Sequence, residues 1–209
     1  MSSEGYQKLA GLILAAGGSR RLGRPKQLLQ WQGKAMLCSA VEACLPVCQA
    51  GLVVVTGARA AEVETCLESY PVTVVRNPDW AKGISGSLRA GLAALRPCSF
   101  AGLLLSLGDQ PLVTPDDIVR LADVWAASPE QPAAAHYNGM RGVPAIFPAS
   151  FCGELMALTG DEGARRVLRA ATECSEVAMP AAAMDIDTPS DLEALLLGDS
   201  QEDKRSNTE

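Results

Sequence analysis

The chain contains very little histidine, and this scarcity narrows the chemistry it can perform. His136 is the only histidine among the 209 residues. The general base of an enzyme is most often a histidine, and catalytic zinc sites commonly use two or three of them. The composition therefore argues against a histidine base and against a metal centre built from several imidazoles.

Paired cysteine motifs are also missing, although seven cysteines are present. No two of them form a CxxC pair, and their number is odd. Cys44 and Cys48 are one helical turn apart, but no second pair stands nearby to complete a metal site. Cysteines in apolar segments without such spacing are typical of buried free thiols in a reducing cytoplasm. The sequence therefore predicts free thiols rather than disulfides.

Long apolar runs and an excess of positive charge are absent as well. No apolar run of the sequence approaches the ~20 residues that a membrane-spanning helix needs. Glu4 accompanies Lys8 before the first apolar run, which is a weak start for a signal peptide. The net charge is -6, whereas proteins that bind nucleic acid or membrane surfaces carry a basic excess. We expect a cytoplasmic protein that binds neither nucleic acid nor a membrane.

What the sequence does contain is an alternation of apolar runs and helical patterns. Apolar runs typical of strands buried on both faces occupy residues 9–16, 51–57, 72–75 and 101–109. Helical patterns occupy residues 34–45, 58–69 and 85–95 and also follow Thr114 and Thr188. Such alternation predicts a single α/β domain with a doubly wound, mostly parallel sheet. A small β-hairpin insertion is expected at Asn138-Gly139.

The domain is expected to occupy residues 8–197. Residues 198–209 are almost entirely polar. A segment of this composition cannot bury enough apolar surface to fold. The sequence therefore predicts a disordered tail after residue 197.

The first apolar run leads into a loop rich in glycine and cations, which reads LAAGGSRRLGRPK from Leu14 to Lys26. Ligands of parallel sheets bind beyond the carboxyl ends of the strands. Small residues let the backbone approach a ligand closely, and the N–H groups of such a loop can cradle an anion. The spacing matches neither a Walker loop nor a GxGxxG fingerprint. The residues alone leave two interpretations open, a phosphate-binding loop and an ordinary exposed basic loop.

This loop resembles the LAAGxSxRxGxxK signature of the MobA-like nucleotidyltransferases. The matching positions are Leu14, Ala15, Ala16, Gly17, Ser19, Arg21, Gly23 and Lys26. The resemblance implies a Rossmann-like nucleotidyltransferase fold of the GT-A type. It also implies that the loop, with Gly18, wraps the triphosphate of a nucleotide, and that Arg21 and Lys26 neutralise its charge.

Within the family, the chain most resembles the molybdenum cofactor cytidylyltransferases. It reads Ala15-Ala16-Gly17 where the guanylyltransferases typically read LAGG. One methyl group against the edge of a base is worth only ~1–3 kcal/mol of discrimination. Base choice is therefore expected to depend on more than Ala16.

Two acidic turns also resemble parts of the family. Asp109 follows the last apolar run in LGDQP, and the resemblance implies that it binds Mg²⁺. Mg²⁺ prefers one or two carboxylates together with substrate phosphates, which suits such a position. Asp187 lies in MDIDTPSDL and matches the family's I-[ND]-TP turn. The resemblance implies a second metal ligand there, and a purely structural turn is the alternative.

Three further segments resemble the family near the expected cleft. RNPDWAKGISGSLRAGL contains Asn77, Gly83 and Ser87, which the resemblance places at the nucleotide, while Trp80 is expected to pack in the core. A helix beginning in this segment could meet a ligand with its N-terminus. RGVPAIF resembles an acceptor-side segment. LTGDEGARRVL resembles a GDxGAR motif, with a capped amphipathic helix as the alternative interpretation.

The resemblance as a whole implies transfer of CMP from CTP to the terminal phosphate of molybdenum-loaded molybdopterin. Pyrophosphate leaves, and Lys26, Arg21 and Asp109 are the expected catalytic residues. A phosphate monoester is largely ionised near pH 7, so a chain with one histidine can use it without a strong base. The alternatives are a relative that uses GTP or another phosphate acceptor, and a chaperone that delivers the cofactor to a client molybdoenzyme. A dinucleotide-dependent oxidoreductase is disfavoured by the glycine spacing.

Overall fold

The fold is organised around a central β-sheet, and the computed structural model describes residues 9–19, 21–96, 98–186, 188–191 and 193. In chain order, the strands are β1 (Leu9–Leu14), β2 (Gln30–Trp31), β3 (Lys34–Ala35), β4 (Leu52–Thr56), β5 (Thr73–Arg76), β6 (Gly102–Leu107), β7 (Ala133–Tyr137), β8 (Met140–Pro148) and β9 (Ser175–Ala178). The α-helices are α1 (Met36–Cys44), α2 (Ala60–Thr65), α3 (Ile84–Leu95), α4 (Pro115–Ala127), α5 (Cys152–Met156) and α6 (Arg165–Ala170).

The central sheet has seven strands in the order β5-β4-β1-β6-β8-β7-β9. Strands β5, β4, β1 and β6 are parallel to one another. Strand β8 runs antiparallel to both β6 and β7, and β9 pairs in parallel with β7. The predicted doubly wound and mostly parallel α/β sheet is therefore confirmed.

Both faces of strands β1, β4 and β6 are buried, which explains their continuous apolar sequence. The prediction was wrong for the run 72–75, because its strand β5 is at the edge of the sheet and mostly exposed. In β1, Leu9 and Ile13 pack on one face with residues of α1 and α4. Leu12, whose side chain points the other way because strand side chains alternate, packs with residues of α3 and α6. The helices cover the apolar side chains on both faces of the sheet. The loops at the ends of the strands are therefore the part of the sheet that a ligand can reach.

The predicted hairpin at Asn138-Gly139 is present, but its strands are part of the main sheet. Both turn residues have positive φ, 51° and 71°, as a two-residue type I′ turn requires. A second hairpin, β2–β3, turns at Gln32-Gly33 with φ values of 48° and 79°. The helix predicted over 34–45 begins only at Met36, because residues 34 and 35 form strand β3 of this hairpin.

Two predicted helix starts carry the expected caps. The Thr114 hydroxyl accepts a hydrogen bond from the Asp117 N–H at 3.2 Å, and the Asp117 carboxylate accepts one from the Thr114 N–H at 3.0 Å. Thr188 and Asp191 make the same reciprocal pair. Domain limits at 8 and 197 and the tail at 198–209 lie outside the described residues and stay predictions.

All seven cysteines are free thiols, as predicted. Cys38, Cys44 and Cys48 are buried, whereas Cys98 is exposed. Burial raises the pKa of the Cys44 thiol to about 12, so this thiol stays protonated at neutral pH. Within the described residues, no helix combines the length and the apolar character that crossing a bilayer requires.

Candidate active site

A cleft of about 430 Å³ opens at the carboxyl ends of β1 and β6. The loops that follow both strands line it, together with the first turn of α3. Of the predicted site residues, those that line the cleft are Leu14, Ala15, Ala16, Gly17, Gly18, Lys26, Gly83, Ser87 and Asp109. The cleft lies where ligands of a parallel sheet bind.

Three consecutive backbone N–H groups of the loop after β1 are available to a ligand. The N–H groups of Ala16, Gly17 and Gly18 donate no hydrogen bond within the part of the chain that the structure describes. Backbone N–H groups rarely lack an acceptor in folded proteins. Successive free N–H groups form a concavity that binds anions. The geometry therefore favours the phosphate-binding interpretation over an ordinary basic loop.

Ser19 folds the loop back so that Lys26 returns to the cleft. Its backbone has a positive φ of 47°. Its carbonyl accepts hydrogen bonds from the N–H groups of Leu22 and Gly23, at 3.0 and 3.1 Å. Its hydroxyl oxygen accepts a hydrogen bond from the Lys26 N–H at 3.0 Å. Ser19 therefore shapes the loop through its own backbone and hydroxyl.

Lys26 and Asp109 form an ion pair across the cleft. The Lys26 ammonium contacts Asp109 Oδ2, and the two side chains are 13% and 16% exposed. The other carboxylate oxygen, Oδ1, is buried and has no hydrogen-bond partner among the described residues. A carboxylate oxygen in this state fits a hard divalent cation, which prefers oxygen ligands.

The turn that carries Asp109 is attached to two other segments. Gln110 Nε2 donates hydrogen bonds to two backbone carbonyls, at 3.1 and 2.8 Å. The Ile186 N–H donates to the Asp109 carbonyl at 3.3 Å. Asp187, the predicted second metal ligand, follows Ile186 in the chain but lies outside the described residues. Asp109 is therefore held at a fixed place beside the end of β6.

The opposite wall of the cleft joins two segments that are far apart in sequence. Gly83, with φ of 118°, lies against the backbone of Gly160, and a Cβ on Gly83 would be 2.2 Å from the Gly160 oxygen. The Ser85 N–H donates to this same oxygen at 3.1 Å. Asp161 consequently reaches the cleft. The structure thus brings the GDxGAR segment, which the sequence left undecided, to the site.

Trp80 packs against the edge of the core, as predicted, and also lines the cleft. Its side chain is half-buried and lines the cleft. A Cβ on Gly18 would be 2.5 Å from Cη2 of the Trp80 indole. A side chain at position 18 would clash with the indole. Glycine at this position therefore allows the close contact with Trp80, and it also lets the loop backbone approach a ligand closely.

A second pocket of about 570 Å³ adjoins the first. The two share Leu14, Ile84, Leu107 and Asp161. Leu105 and Val143 extend the apolar floor of the second pocket. Its charged side chains are three arginines and three acids: Arg165, Arg166, Arg169, Asp161, Glu162 and Asp185. The pocket combines an apolar surface with cationic side chains, which suits a ligand that has an apolar ring and an anionic group.

The arginines of the second pocket differ in their partners. Arg166 forms an ion pair with Glu162, and the Thr159 N–H, together with Arg166, holds the pKa of Glu162 below its usual range. Arg165 Nη2 instead donates to the Tyr137 hydroxyl at 2.8 Å, with the guanidinium 5.7 Å from the ring centroid. Arg165 is thus oriented by a hydroxyl group rather than by a carboxylate.

Three of the predicted site residues that the structure describes, Ser19, Arg21 and Asn77, do not line the cleft. Arg21 is exposed in the loop after β1. Asn77 is buried, and its Nδ2 donates to the Ser87 hydroxyl at 3.0 Å. Their roles at a nucleotide stay predictions, and the contacts of Asn77 favour an indirect role through Ser87.

The structure brings to the site one residue that the sequence did not single out, Gln27. Gln27 is buried and lines the cleft beside Lys26. Its side chain acts on the loop backbone, and such contacts leave no periodicity or motif of their own. Arg165 ends the GDxGAR segment, for which the sequence left a ligand-binding motif and a capped helix open, and it lines the second pocket.

Comparison with known proteins gives one family for most of the chain. Residues 11–177 match the model of the MobA-like NTP transferase domain. The chain is 32% identical over 170 residues to nicotine blue oxidoreductase of Paenarthrobacter nicotinovorans, covering 77% of this chain and 81% of that protein. It is 28% identical over 182 residues to molybdenum cofactor cytidylyltransferase of Escherichia coli K12, covering 86% and 91%. It is also 28% identical over 192 residues to a probable molybdenum cofactor guanylyltransferase of Rhodopirellula baltica, covering 88% and 90%.

Solved structures agree with this fold. Rv0371c from Mycobacterium tuberculosis H37Rv superposes with a TM-score of 0.79 at 32% identity, covering 90% of this chain and 97% of that one. Its complex with manganese gives a TM-score of 0.73 at 30% identity, covering 90% and 98%.

Replacing Gly83 with alanine should destabilise the cleft wall, because the new Cβ would clash with Gly160 and the backbone has φ of 118°. We expect Gly83→Ala to lower the free energy of unfolding by about 2 kcal/mol, measured by urea denaturation. Gly163→Ala is the matched control, since its Cβ would meet Ile84 at an ordinary 3.8 Å. Equal stability of the two variants would contradict the assigned role of Gly83.

The site and the matched family occupy the same part of the chain. The family model covers well over half of the sequence, and the glycine-rich loop, Lys26 and Asp109 all lie within it. The chain therefore belongs to the MobA-like NTP transferase family and is a nucleotidyltransferase enzyme related to the molybdenum cofactor cytidylyl- and guanylyltransferases.

Proposed function

We propose that the protein transfers CMP from CTP to the terminal phosphate of molybdenum-loaded molybdopterin and releases pyrophosphate. The observation that carries the proposal is the pairing of Lys26 with Asp109 in the cleft. Nucleotidyl transfer needs a cation for the phosphates and a carboxylate for a metal ion. Both groups meet here, beside three backbone N–H groups without acceptors among the described residues.

The loop after β1 receives the triphosphate in this proposal. The N–H groups of Ala16, Gly17 and Gly18 bind phosphate oxygens, and Lys26 leaves Asp109 to contact the β and γ phosphates. Arg21 adds a second positive charge from the exposed part of the loop. The protein acts mainly by positioning the reactants and neutralising charge, as in phosphoryl transfer generally.

Asp109 is the residue that would hold Mg²⁺, and Asp187 is proposed as a second ligand. The buried and unpartnered Oδ1 of Asp109 supports this. The hydrogen bond between Ile186 and the Asp109 carbonyl brings the chain next to Asp187 close to Asp109. No group of three or more metal-binding side chains occurs among the described residues, which suits an ion that takes further ligands from substrate phosphates. When bound, the ion would neutralise charge on the phosphates and the leaving pyrophosphate.

The second pocket is the proposed acceptor site. Molybdopterin carries a flat ring system and a phosphate, and the pocket offers an apolar floor and the Arg165 guanidinium. The shared lining at Leu14 and Leu107 allows an acceptor phosphate to approach the α-phosphorus of a nucleotide in the first cleft. The names of two relatives, a molybdenum cofactor cytidylyltransferase and a probable guanylyltransferase, support this acceptor.

Ala16 is the proposed contributor to the choice of CTP over GTP. It is 6% exposed and lines the cleft. A Cβ on Gly57 would lie 2.8 Å from the Ala16 Cβ and 2.7 Å from the Trp80 Cβ, so both residues pack closely on Gly57. This packing fixes the wall beside the proposed base, where one methyl group is worth ~1–3 kcal/mol.

A second candidate function comes from a relative at 32% identity, which is named nicotine blue oxidoreductase. A reductase on this fold would use the cleft for an electron-donating cofactor and the second pocket for an apolar ring. The pairing of Lys26 with Asp109 favours nucleotidyl transfer, since hydride transfer needs no metal-binding carboxylate.

The decisive assay supplies molybdenum cofactor and Mg²⁺ with CTP, GTP or ATP and measures pyrophosphate and product mass. We expect CMP transfer, with CTP preferred over GTP by at least about tenfold. Exclusive GMP transfer would overturn the base assignment. Cofactor binding without nucleotide consumption would favour a delivery chaperone, and oxidation of NADH or NADPH by a dye without pyrophosphate release would favour the reductase.

Asp109→Asn should remove the metal ligand without changing the shape of the side chain. We expect kcat to fall by about 10³-fold, because a metal ion supplies several kcal/mol of charge stabilisation. The thermal midpoint should fall as well, because Lys26 loses its partner at a mostly buried place, while far-UV circular dichroism below the midpoint should match that of the wild type. Glu154→Gln, an exposed acid in α5, serves as the control and should keep full activity. Near-normal turnover of Asp109→Asn would refute the assignment.

Lys26→Met should change metal binding in the opposite direction from nucleotide binding. Because Lys26 neutralises Asp109 before the nucleotide arrives, its removal should raise the affinity for Mn²⁺ alone by about tenfold, while CTP binds more weakly. Electron paramagnetic resonance of free Mn²⁺ measures the first effect. Lys34→Met removes an exposed lysine paired with Glu42 and should change neither affinity. Unchanged Mn²⁺ affinity of Lys26→Met would show that Asp109 is not the metal ligand.

A further inference from the structure

Gln27 is a buried polar residue at the cleft to which the proposed reaction gives no role. It is 2% exposed and lines the cleft. It lies in the short 3-10 turn Lys26–Leu28, directly after the lysine that contacts Asp109. A glutamine held at such a place must satisfy its amide with protein or ligand atoms.

The amide of Gln27 binds the backbone of the loop after β1. Its Nε2 donates hydrogen bonds to the Ala15 carbonyl at 2.8 Å and to the Gly17 carbonyl at 3.0 Å. Its Oε1 has no hydrogen-bond partner among the described residues. The amide orientation follows from these contacts, because the reverse assignment would set Oε1 against two carbonyl oxygens.

These two bonds determine where the neighbouring N–H groups point. The carbonyl and the N–H of one trans peptide unit point in opposite directions. The Ala15 carbonyl shares its peptide unit with the Ala16 N–H, and the Gly17 carbonyl shares its unit with the Gly18 N–H. By holding both carbonyls, Gln27 turns both N–H groups away from itself, and neither of them has an acceptor within the described chain.

The same two hydrogen bonds keep two carbonyl oxygens turned away from the side of the loop where an anion would bind. A carbonyl oxygen carries partial negative charge and would repel a triphosphate if the flexible loop turned it outward. Gly17 and Gly18 make such a rotation inexpensive, since glycine adopts many backbone conformations. The loop therefore needs a fixed donor behind it, and Gln27 supplies one.

We propose that Gln27 is a positioning residue that directs the Ala16 and Gly18 N–H groups toward the phosphates of the bound nucleotide. The inference rests on the proposed function in that it takes the ligand of the loop to be a nucleoside triphosphate. It predicts that Gln27 governs the affinity for the phosphate chain and leaves the contacts to the base unaffected.

Gln27→Met tests the inference, because methionine has a similar length and no donor. We expect this variant to bind CTP and inorganic tripolyphosphate, each with Mg²⁺, about tenfold or more weakly by calorimetry. Cytidine should bind as it does to the wild type, and KM for CTP should rise more than kcat falls. Gln131→Met is the matched control, since it removes a Gln hydrogen bond to Ser175 away from the cleft, and its affinities should be unchanged.

A purely structural role gives a different pattern. If Gln27→Met lowers only the thermal midpoint and binds tripolyphosphate like the wild type, the inference is wrong, as it is if cytidine and CTP weaken equally. If Gln27→Met does not fold, Gln27→Glu keeps the shape, and its full affinity for tripolyphosphate would refute the inference. Failure of the wild type to bind tripolyphosphate would overturn the proposed function as well, whereas equal binding by wild type and Gln27→Met overturns the inference alone.

Discussion

The parallel pairing of β1 with β6 determines where the site lies. The two strands pair from Leu9 opposite Gly102 to Leu14 opposite Leu107. The Gly108 N–H extends this pairing by donating to the Leu14 carbonyl at 3.1 Å. The loops that follow β1 and β6 therefore leave the sheet at the same level and in the same direction. This shared exit allows a lysine twelve residues after β1 to meet an aspartate two residues after β6.

The ion pair between Lys26 and Asp109 stabilises the protein without a ligand, and it has to break when a ligand binds to either group. In the free protein, it neutralises two charges that are each mostly removed from water, where an isolated charge is costly. In the proposed function, both groups would exchange this partner for a stronger one, since phosphates attract the ammonium and a metal ion attracts the carboxylate. The site thus holds its charged groups together without a ligand, although the whole chain has a net charge of -6.

Sequence reasoning predicted the central sheet well because burial on both faces leaves a clear signal. Strands β1, β4 and β6 are continuous apolar runs. The capping residue Thr114 correctly predicted the start of α4. The β2–β3 hairpin was missed, because Gln32 at positive φ is not a common turn signal. Strand β9 was also missed, because Ser175–Ala178 is short and mostly exposed.

The candidate site was indicated by the sequence where chain-local motifs mark it, as at Lys26 and Asp109, which the structure brings together at the cleft. It was not predictable where a side chain acts across the fold. Gln27 reaches carbonyls ten and twelve residues earlier, and Trp80 meets Gly18 from another strand-end loop. Contacts of this kind depend on how loops from different strands come together, which no local pattern records.

The close approach of Gly83 to Gly160 connects the two halves of the site. Gly83 belongs to the segment that begins α3 and lines the first cleft, whereas Gly160 and Asp161 lead into the arginine-bearing α6 of the second pocket. Because the Ser85 N–H also bonds to the Gly160 carbonyl, movement of one segment displaces the other. Asp161 lines both pockets, so an anion arriving in either pocket meets the same carboxylate. In the proposed function, positive charge that offsets this carboxylate comes from Lys26 in the first cleft and from Arg165 in the second pocket.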